Sequence, residues 1–296
     1  MSISKYPSKV TLPESAPGCI TVLDYLVLKF PLIGANTWRR RMNTGKVHDT
    51  AGTAIGPDRL FTAKLGVYYY REVTEEPVIP FDEAIIFEDD TLLLAYKPHF
   101  LPVTAGGRYV NQCLQNRLRQ STGNDQLQAL HRLDRLTAGL VLFAKKEQHR
   151  ALYHQLFEHH NIEKHYQAVS EIDPCVNYVG RQWQVENHIC RGEPRFLMRI
   201  GEGDNNSCSL IRCIGQHHNK ALFELQPITG KTHQLRLHMQ SIGLPILNDP
   251  LYPVLQPEQP QDFSRPLQLL ARRLTFTDPV TQQQRDFRYH AELGLE

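Results

Sequence analysis

The chain has 296 residues, 41% of them hydrophobic and 22% charged, the balance of a soluble globular protein with room for one large domain and a smaller one. Thirty-three Lys and Arg against 31 Asp and Glu leave a formal charge of +2, too little to argue for a polyanionic partner, so any basic surface has to be local. Residues 1–11 lack the apolar stretch of an export signal and no run approaches a membrane-spanning length, which points away from membrane classes and toward a cytoplasmic protein with reduced thiols.

Residues 1–17 read as a leader punctuated by Pro7, Pro13 and Pro17. A small domain is expected over 18–73. Thr21 is placed to cap a helix over 21–28, where apolar residues recur at helical spacing, and Pro31 ends it. Asn36 is the cap candidate of a second helix running to Met42, with Gly45 as its stop. Short strands follow, the last over 66–71. Two helices followed by strands, with Trp38 and Arg39-Arg40-Arg41 on the second helix, resemble a small RNA-binding domain of ribosomal proteins and RNA-modifying enzymes. That family carries a Gly-x-Val-x-Val-Asn-Gly hairpin after the second helix. Here Gly45-Lys46-Val47-His48 matches its beginning and Asp49-Thr50-Ala51-Gly52 replaces the rest. The three arginines suit an RNA-facing helix and equally a solvated one.

Residues 74–80, polar and then punctuated by Pro77 and Pro80, read as a linker into one larger domain over 81–296. Two apolar runs, 84–87 and 92–96, flank an acidic turn and predict a hairpin, broken by Lys97-Pro98. A helix is expected over 111–120, and the apolar run 140–144 reads as a buried strand. A second amphipathic helix is expected over 147–159, with Ala151, Leu152, Leu156 and Phe157 as its inner stripe. A strand over 164–169 follows, then strand-like runs between Gly, Pro and Asn up to 225. A short helix over 232–239 stops at Gly243, and the Pro- and Gln-rich stretch 251–266 has the length of a functional loop. Many strands against few helices imply an α+β fold: a mixed, largely antiparallel sheet with flanking helices, plus the small N-terminal α/β RNA-binding-like domain. Cys208 and Cys213 near His217 and His218 have no standard zinc spacing and read as cysteines in or beside a strand.

The stretch His131-Arg132-Leu133-Asp134-Arg135-Leu136-Thr137-Ala138-Gly139 sets one carboxylate between two arginines. That arrangement suits a nucleophile and equally a structural ion pair. Three other stretches are too polar and punctuated to be core alone: Lys97 to Val103, Lys164-His165-Tyr166-Gln167-Ala168, and Thr229 to His238 with its extension Gly243 to Tyr252.

In this order the four closely resemble the RluA-like family of pseudouridine synthases, from about residue 85 to residue 287, some two thirds of the chain. The specific matches are His131-Arg132-Leu133-Asp134 with Thr137 and Gly139, and Thr229-Gly230 with His233-Gln234-Leu235-Arg236 and His238. Phe100 stands where the family usually has glycine, Lys231 where it has arginine, and Ala138 where serine is common. Lys231 keeps the charge but loses bidentate phosphate recognition, and Phe100 is expected to reshape one wall of the site.

The resemblance implies an isomerisation in which uracil is detached from ribose, rotated and rejoined through carbon, without metal or organic cofactor. It makes Asp134 the catalytic carboxylate, acting on sugar or base as nucleophile or on a sugar proton as base. Arg236 matches the arginine that pairs with it, and Tyr166 the residue that packs on the target base and helps move its proton. Arg132 would fill the gap left by an extruded nucleotide. Leu269 would line the pocket, and Leu133, Arg135, Lys231, His233 and Gln234 are expected to contact substrate. His131 reads as a hydrogen-bonding loop residue rather than a base. Lys97 reads equally as a strand-end residue or an RNA contact. The implied partner is a structured ribosomal or transfer RNA, bound by a monomer. An RNA-binding or ribosome-assembly role is the alternative from another class. An aspartate-nucleophile glycosidase would need a second carboxylate, for which the motifs offer Asp249 alone.

Overall fold

The computed structural model describes residues 2–257, 262–290 and 293–295. It divides into two compact units. One comprises the chain up to Pro77 together with Gly106–Asn111, and the other Val78–Ala105 with the chain from Gln112 onward. The change at Pro77 falls inside the stretch read as a linker. Glu76, however, is not loose chain: its Oε1 accepts the Val110 and Asn111 N–H groups at 2.6 and 2.7 Å, which ties Gly106–Asn111 to the first unit.

The first unit runs β1 (Ser2–Ile3), β2 (Ser8–Thr11), α1 (Val22–Lys29), α2 (Ala35–Asn43), β3 (Val47–His48), β4 (Gly66–Tyr69) and β5 (Glu72–Val73). Thr21 caps α1 reciprocally with Asp24, a capping box. Helix α2 begins at Ala35 with Gly34 as its cap residue and no side-chain cap bond, so Asn36 is not the cap. The leader reading needs correction as well. β2 pairs with β4 and Leu12 is buried beside Val22, Leu26, Trp38 and Val67. Four residues between prolines are too few to show a period, yet they suffice for an edge strand. The basic helix is also less free than its sequence suggests. Glu72 collects Arg40 at 3.4 Å, Arg41 at 3.3 Å and Lys46, and Arg41 is buried over the Trp38 ring.

The second unit is built on an eleven-stranded sheet. In chain order its elements are β6 (Ala84–Glu88), β7 (Leu92–Lys97), α3 (Leu114–Thr122), β8 (Gln128–Ala129), β9 (Ala138–Ala144), α4 (Arg150–Glu158), β10 (Ile162–Glu171), β11 (Gln182–Arg191), β12 (Met198–Gly201), β13 (Ser207–His217), β14 (Lys220–Pro227), α5 (Gln234–Ser241), β15 (Leu269–Thr277) and β16 (Gln284–Arg288). The main path is β12-β11-β13-β14-β10-β15-β9-β7-β6, with β16 on β15 and β8 on β9. All these pairings are antiparallel except β9 with β15, which is parallel and spans only two residue pairs.

Every residue of β9 is buried, which is why its sequence is continuously apolar rather than alternating. Helix α4 keeps part of the expected stripe, with Leu156 and Phe157 on the core, but Tyr153 joins them while Ala151 and Leu152 are exposed, Leu152 to 42%. The Tyr153 hydroxyl donates to Asp278 Oδ1 at 2.9 Å, so an aromatic residue with a polar tip, not an aliphatic one, leads that face. Cys213 packs in the core of β11, β13 and β14, whereas Cys208 lies 3.7 Å from Glu186 Oε1.

Gly139 is where the parallel pair closes. Its φ is +124°, and a Cβ there would sit 2.2 Å from the Ala271 carbonyl oxygen. Both the backbone conformation and the contact with a neighbouring main chain exclude a side chain. Gly139→Ala is expected to destabilise the protein by about 3 kcal/mol or more, read as a shift of the urea midpoint. A midpoint equal to wild type would contradict this close approach.

Candidate active site

Four stretches converge at the end of β9. Residues 134–137 form a tight turn closed by the Thr137 N–H donating to the Asp134 carbonyl at 3.1 Å. Two side chains from the Lys97 motif hold its outer carbonyls. Lys97 Nζ donates to the Arg135 carbonyl at 3.2 Å, as well as to Pro98 and Leu101, and His99 Nδ1 donates to Leu136 at 2.7 Å. Lys97 is fully buried, and burial holds its pKa well below the usual lysine value, with Asp134 acting in the opposite sense. It is a structural clamp on the loop and not an RNA contact.

Phe100 has the positive φ, +68°, that explains glycine at this place in the family pattern. The left-handed conformation costs about 1–2 kcal/mol. Burying the ring beside Phe81 and Phe263, at centroid distances of 6.0 and 5.2 Å, returns about as much. Among the described residues that line the cavity, Pro102 and Val103 represent this motif and Phe100 does not, which corrects its expected place on a wall of the site.

Asp134, 29% exposed, meets Arg236 Nη1 at 3.5 Å and His233 Nε2 at 3.8 Å, both through Oδ2. The stronger partner of Arg236 is another residue. Nε and Nη2 make a two-pronged pair with Asp249 at 2.7 and 2.5 Å, with Arg236 2% and Asp249 1% exposed. Burial alone would lower the guanidinium pKa, but Asp249, aided by Asp134 and Tyr252, outweighs it and the net shift is upward. Asp249 Oδ1 also accepts the Leu251 and Tyr252 N–H groups at 2.8 and 3.2 Å. The sequence reading placed Asp249 only as a spare carboxylate beside a proline. An aspartate two residues before a turn N–H is the available signal.

Helix α5 starts two residues later than expected because His233 adopts a left-handed conformation, φ +57°. Gln234 was expected to contact substrate, but its amide is already saturated. It donates to the Cys208 carbonyl and Ser209 Oγ, each at 2.9 Å, and accepts from Thr229 Oγ1 at 2.7 Å and Lys231 N at 3.0 Å. It fastens the Thr229-Gly230 turn to β13. His238 is buried against Asn187 and Ser207 and ties α5 to β11 and β13.

These elements enclose a cavity of about 800 Å³ whose lining includes Asp134, Tyr166, Leu269 and Arg236. Arg132 is exposed and Leu133 buried along it, and Arg135, Lys231 and His233 also border it. Tyr166 stands on β10 between β14 and β15. Burial and the nearby Asp134 raise its phenol well above the ordinary value, so it is a neutral hydroxyl at physiological pH. Lys164, two residues earlier on the same face of β10, borders the cavity too. Alternation from Tyr166 was the signal for it. Burial lowers its pKa, and among the described residues it has no hydrogen-bonding or ionic partner.

His131 Nε2 accepts the Leu142 N–H at 3.1 Å, and its ring stacks on Phe157. Burial, aided by Lys164, pushes its pKa down to about 3 from 6.5. Between those values the unfolded chain binds a proton that the folded one refuses. Stability therefore falls as pH drops from about 6.5 toward 3 and gains nothing above that window. Burial lowers His238 to about 4, and it acts in the same direction. His131→Gln, which can still accept from Leu142, is expected to flatten this acid-side loss. Denaturant midpoints between pH 7 and pH 4 measure it, and an unchanged slope would mean that His131 is not the neutral, half-buried group described.

The sequence profile of the RNA pseudouridylate synthase family matches residues 91–241, half of the chain. The chain belongs to this family and is an RNA-modifying isomerase. An uncharacterized RNA pseudouridine synthase of Synechocystis sp. is 27% identical over 236 residues, covering 78% of this chain and 79% of that one. The ribosomal large subunit pseudouridine synthase C of Rickettsia bellii is 33% identical over 215 residues, covering 70% and 66%. Several other curated relatives are longer, this chain spanning half of their length or less. Among solved structures, human RNA pseudouridylate synthase domain containing 1 superposes with a TM-score of 0.58 at 19% identity, covering 73% of this chain and 86% of that one, a likeness of fold. Among the described residues no helix is long and apolar enough to cross a membrane.

Proposed function

We propose that the protein isomerises a specific uridine of ribosomal RNA to pseudouridine, with Asp134 as the catalytic carboxylate. The N-glycosidic bond breaks, the freed uracil turns within the cavity, and a carbon–carbon bond to the same sugar carbon forms. One proton leaves the base carbon and one is taken up at nitrogen, so nothing is consumed. Tyr166 offers an aromatic face to the base and a neutral hydroxyl for that proton. Arg236, anchored by Asp249, aims the carboxylate. Arg132, exposed beside it, occupies the place of the extruded nucleotide in the RNA helix. Leu269 and Leu133 supply apolar wall, and Arg135 and Lys231 meet phosphates. His233 acts at the carboxylate.

The observation that carries this reading is the convergence of Asp134, Tyr166 and Arg236, from three separate elements, on one cavity large enough for a nucleotide. The ribosomal choice rests on the likeness to the Rickettsia enzyme. The small N-terminal unit is read as an accessory RNA contact through the exposed Arg39 and Arg40, and the protein as a cytoplasmic monomer.

The test is chemical mapping of pseudouridine in total RNA from a strain lacking the gene against its parent. A position lost from ribosomal RNA supports the proposal. One lost from transfer RNA replaces the substrate, and no lost position removes the function.

A further inference from the structure

The Tyr252 hydroxyl has one proton and three neighbours. It accepts the Met198 N–H at 2.9 Å and lies 3.0 Å from the Met198 carbonyl and 2.8 Å from His233 Nδ1. If that proton goes to Met198, His233 must donate through Nδ1, and the Nε2 lone pair then faces Asp134 Oδ2 at 3.8 Å. Two acceptors, one of them a carboxylate, would be opposed. If the proton goes to Nδ1, Nε2 carries hydrogen and donates toward Asp134. Met198 belongs to β12, the edge strand of the sheet, and the residue is half-buried, a place where water can serve a main-chain carbonyl. The second arrangement leaves no opposed pair.

We propose that the Tyr252 hydroxyl locks His233 in the neutral Nε2–H tautomer, making His233 a positioning residue that aims Asp134 with Oδ1 as the reacting oxygen. Both protein contacts to the carboxylate, Arg236 Nη1 and His233 Nε2, fall on Oδ2. Oδ1 has no hydrogen-bonding or ionic partner among the described residues. With Arg236 Nη1 at 3.5 Å and the His233 N–H facing the same oxygen at 3.8 Å, rotation of the carboxylate is disfavoured and its second oxygen is left for the substrate. The left-handed backbone of His233 at the head of α5 turns the ring so that its two nitrogens reach these two partners. The charged groups acting on the ring are Asp134 from the β9 turn, Arg236 from α5 and Asp249 from the loop after it, with Tyr252 as the other titratable neighbour. Burial lowers the His233 pKa, in keeping with a neutral ring.

The role in catalysis rests on the function proposed above; the tautomer does not, and the two are tested apart. Long-range proton–nitrogen correlation spectra of the free protein read the tautomer directly. The expected result is Nε2–H in wild type and a shift toward Nδ1–H in Tyr252→Phe. An Nδ1–H or doubly protonated ring in wild type at pH 7.5 overturns the proposal.

For the rate, single-turnover pseudouridine formation on total RNA from the deletion strain is compared across variants. His233→Leu is expected to lower the saturating single-turnover rate by about 10² with little change in the half-saturating RNA concentration, and His233→Gln, which can still present an N–H, to recover about tenfold of that loss. Equal activity in His233→Leu and His233→Gln overturns the positioning role. Wild type that forms no pseudouridine would remove the proposed function and the positioning role together, while the tautomer result would stand.

Discussion

Asp134→Ala is expected to abolish pseudouridine formation, lowering the rate by a factor of about 10⁴ or more, while the protein melts close to wild type. The reasons lie in how the side chain is held. The turn that carries Asp134 is closed by main-chain and buried side-chain bonds from Thr137, Lys97 and His99, none of which uses the carboxylate. Removing the carboxylate leaves Arg236 its two-pronged pair with Asp249, and Lys97 keeps its three main-chain carbonyl acceptors. RNA affinity should change little, since Arg132 and Lys231 remain. Asp134→Asn, of the same shape, should behave alike if charge and not volume is what matters. Quantifying pseudouridine in RNA incubated with each variant, beside thermal melts, provides the check. Product from purified Asp134→Ala at anything near the wild-type rate would remove the assignment. Full rescue of a deletion strain by this variant would favour the RNA-binding or assembly role.

Asp249→Ala should do the reverse and damage the fold first. It leaves the Arg236 guanidinium buried without its stronger partner and releases the Leu251 and Tyr252 N–H groups. Breaking one side of a buried pair typically costs about 3–5 kcal/mol, because the remaining charge loses its compensation. For a domain of this size that corresponds to a fall in Tm of about 10 °C. Activity should drop as well, since Arg236 and Tyr252 both help to place the groups around Asp134. Replacing both partners by apolar residues of similar volume, Arg236→Met with Asp249→Leu, should recover much of the stability and none of the activity. If Asp249→Ala melts within a degree of wild type, the pair is not carrying the loop.

How much of this was legible in the sequence depended on whether the cause was local. The runs in β9 and β7 were readable because burial on both faces writes itself into consecutive residues, whereas β6, their apolar hairpin partner, is largely exposed. The start of α5 was misplaced because a left-handed histidine leaves no mark on periodicity. The inner face of α4 was half right: Leu156 and Phe157 do pack on the core, while Tyr153, bonded to the distant Asp278, takes the place expected of Ala151 and Leu152. Asp134, Tyr166 and Arg236 came from a family pattern rather than from periodicity. The pair of Arg236 with Asp249 is formed by a loop, and no repeat encodes it. The Lys97 motif drew attention for its polarity, but only the fold shows that this polarity serves main-chain carbonyls.

The parallel pairing of β9 with β15 has a mechanical consequence. Two residue pairs join them; beyond those, β15 continues with β16 and β9 with β8. The Asp134 side of the site belongs to the β7–β9 ladder. Tyr166 and Leu269 belong to the β10–β15 ladder, whose neighbouring strands carry α5 and Arg236. What spans the seam is mainly side-chain packing, with Leu140 and Leu142 in one cluster with Ile162, Leu274 and Phe276. Such packing resists separation but is less directional than a ladder, so the two halves can shear by a fraction of an ångström without breaking either ladder. The 3.5 Å gap between Asp134 and Arg236 lies across that seam and is the distance most sensitive to such a movement.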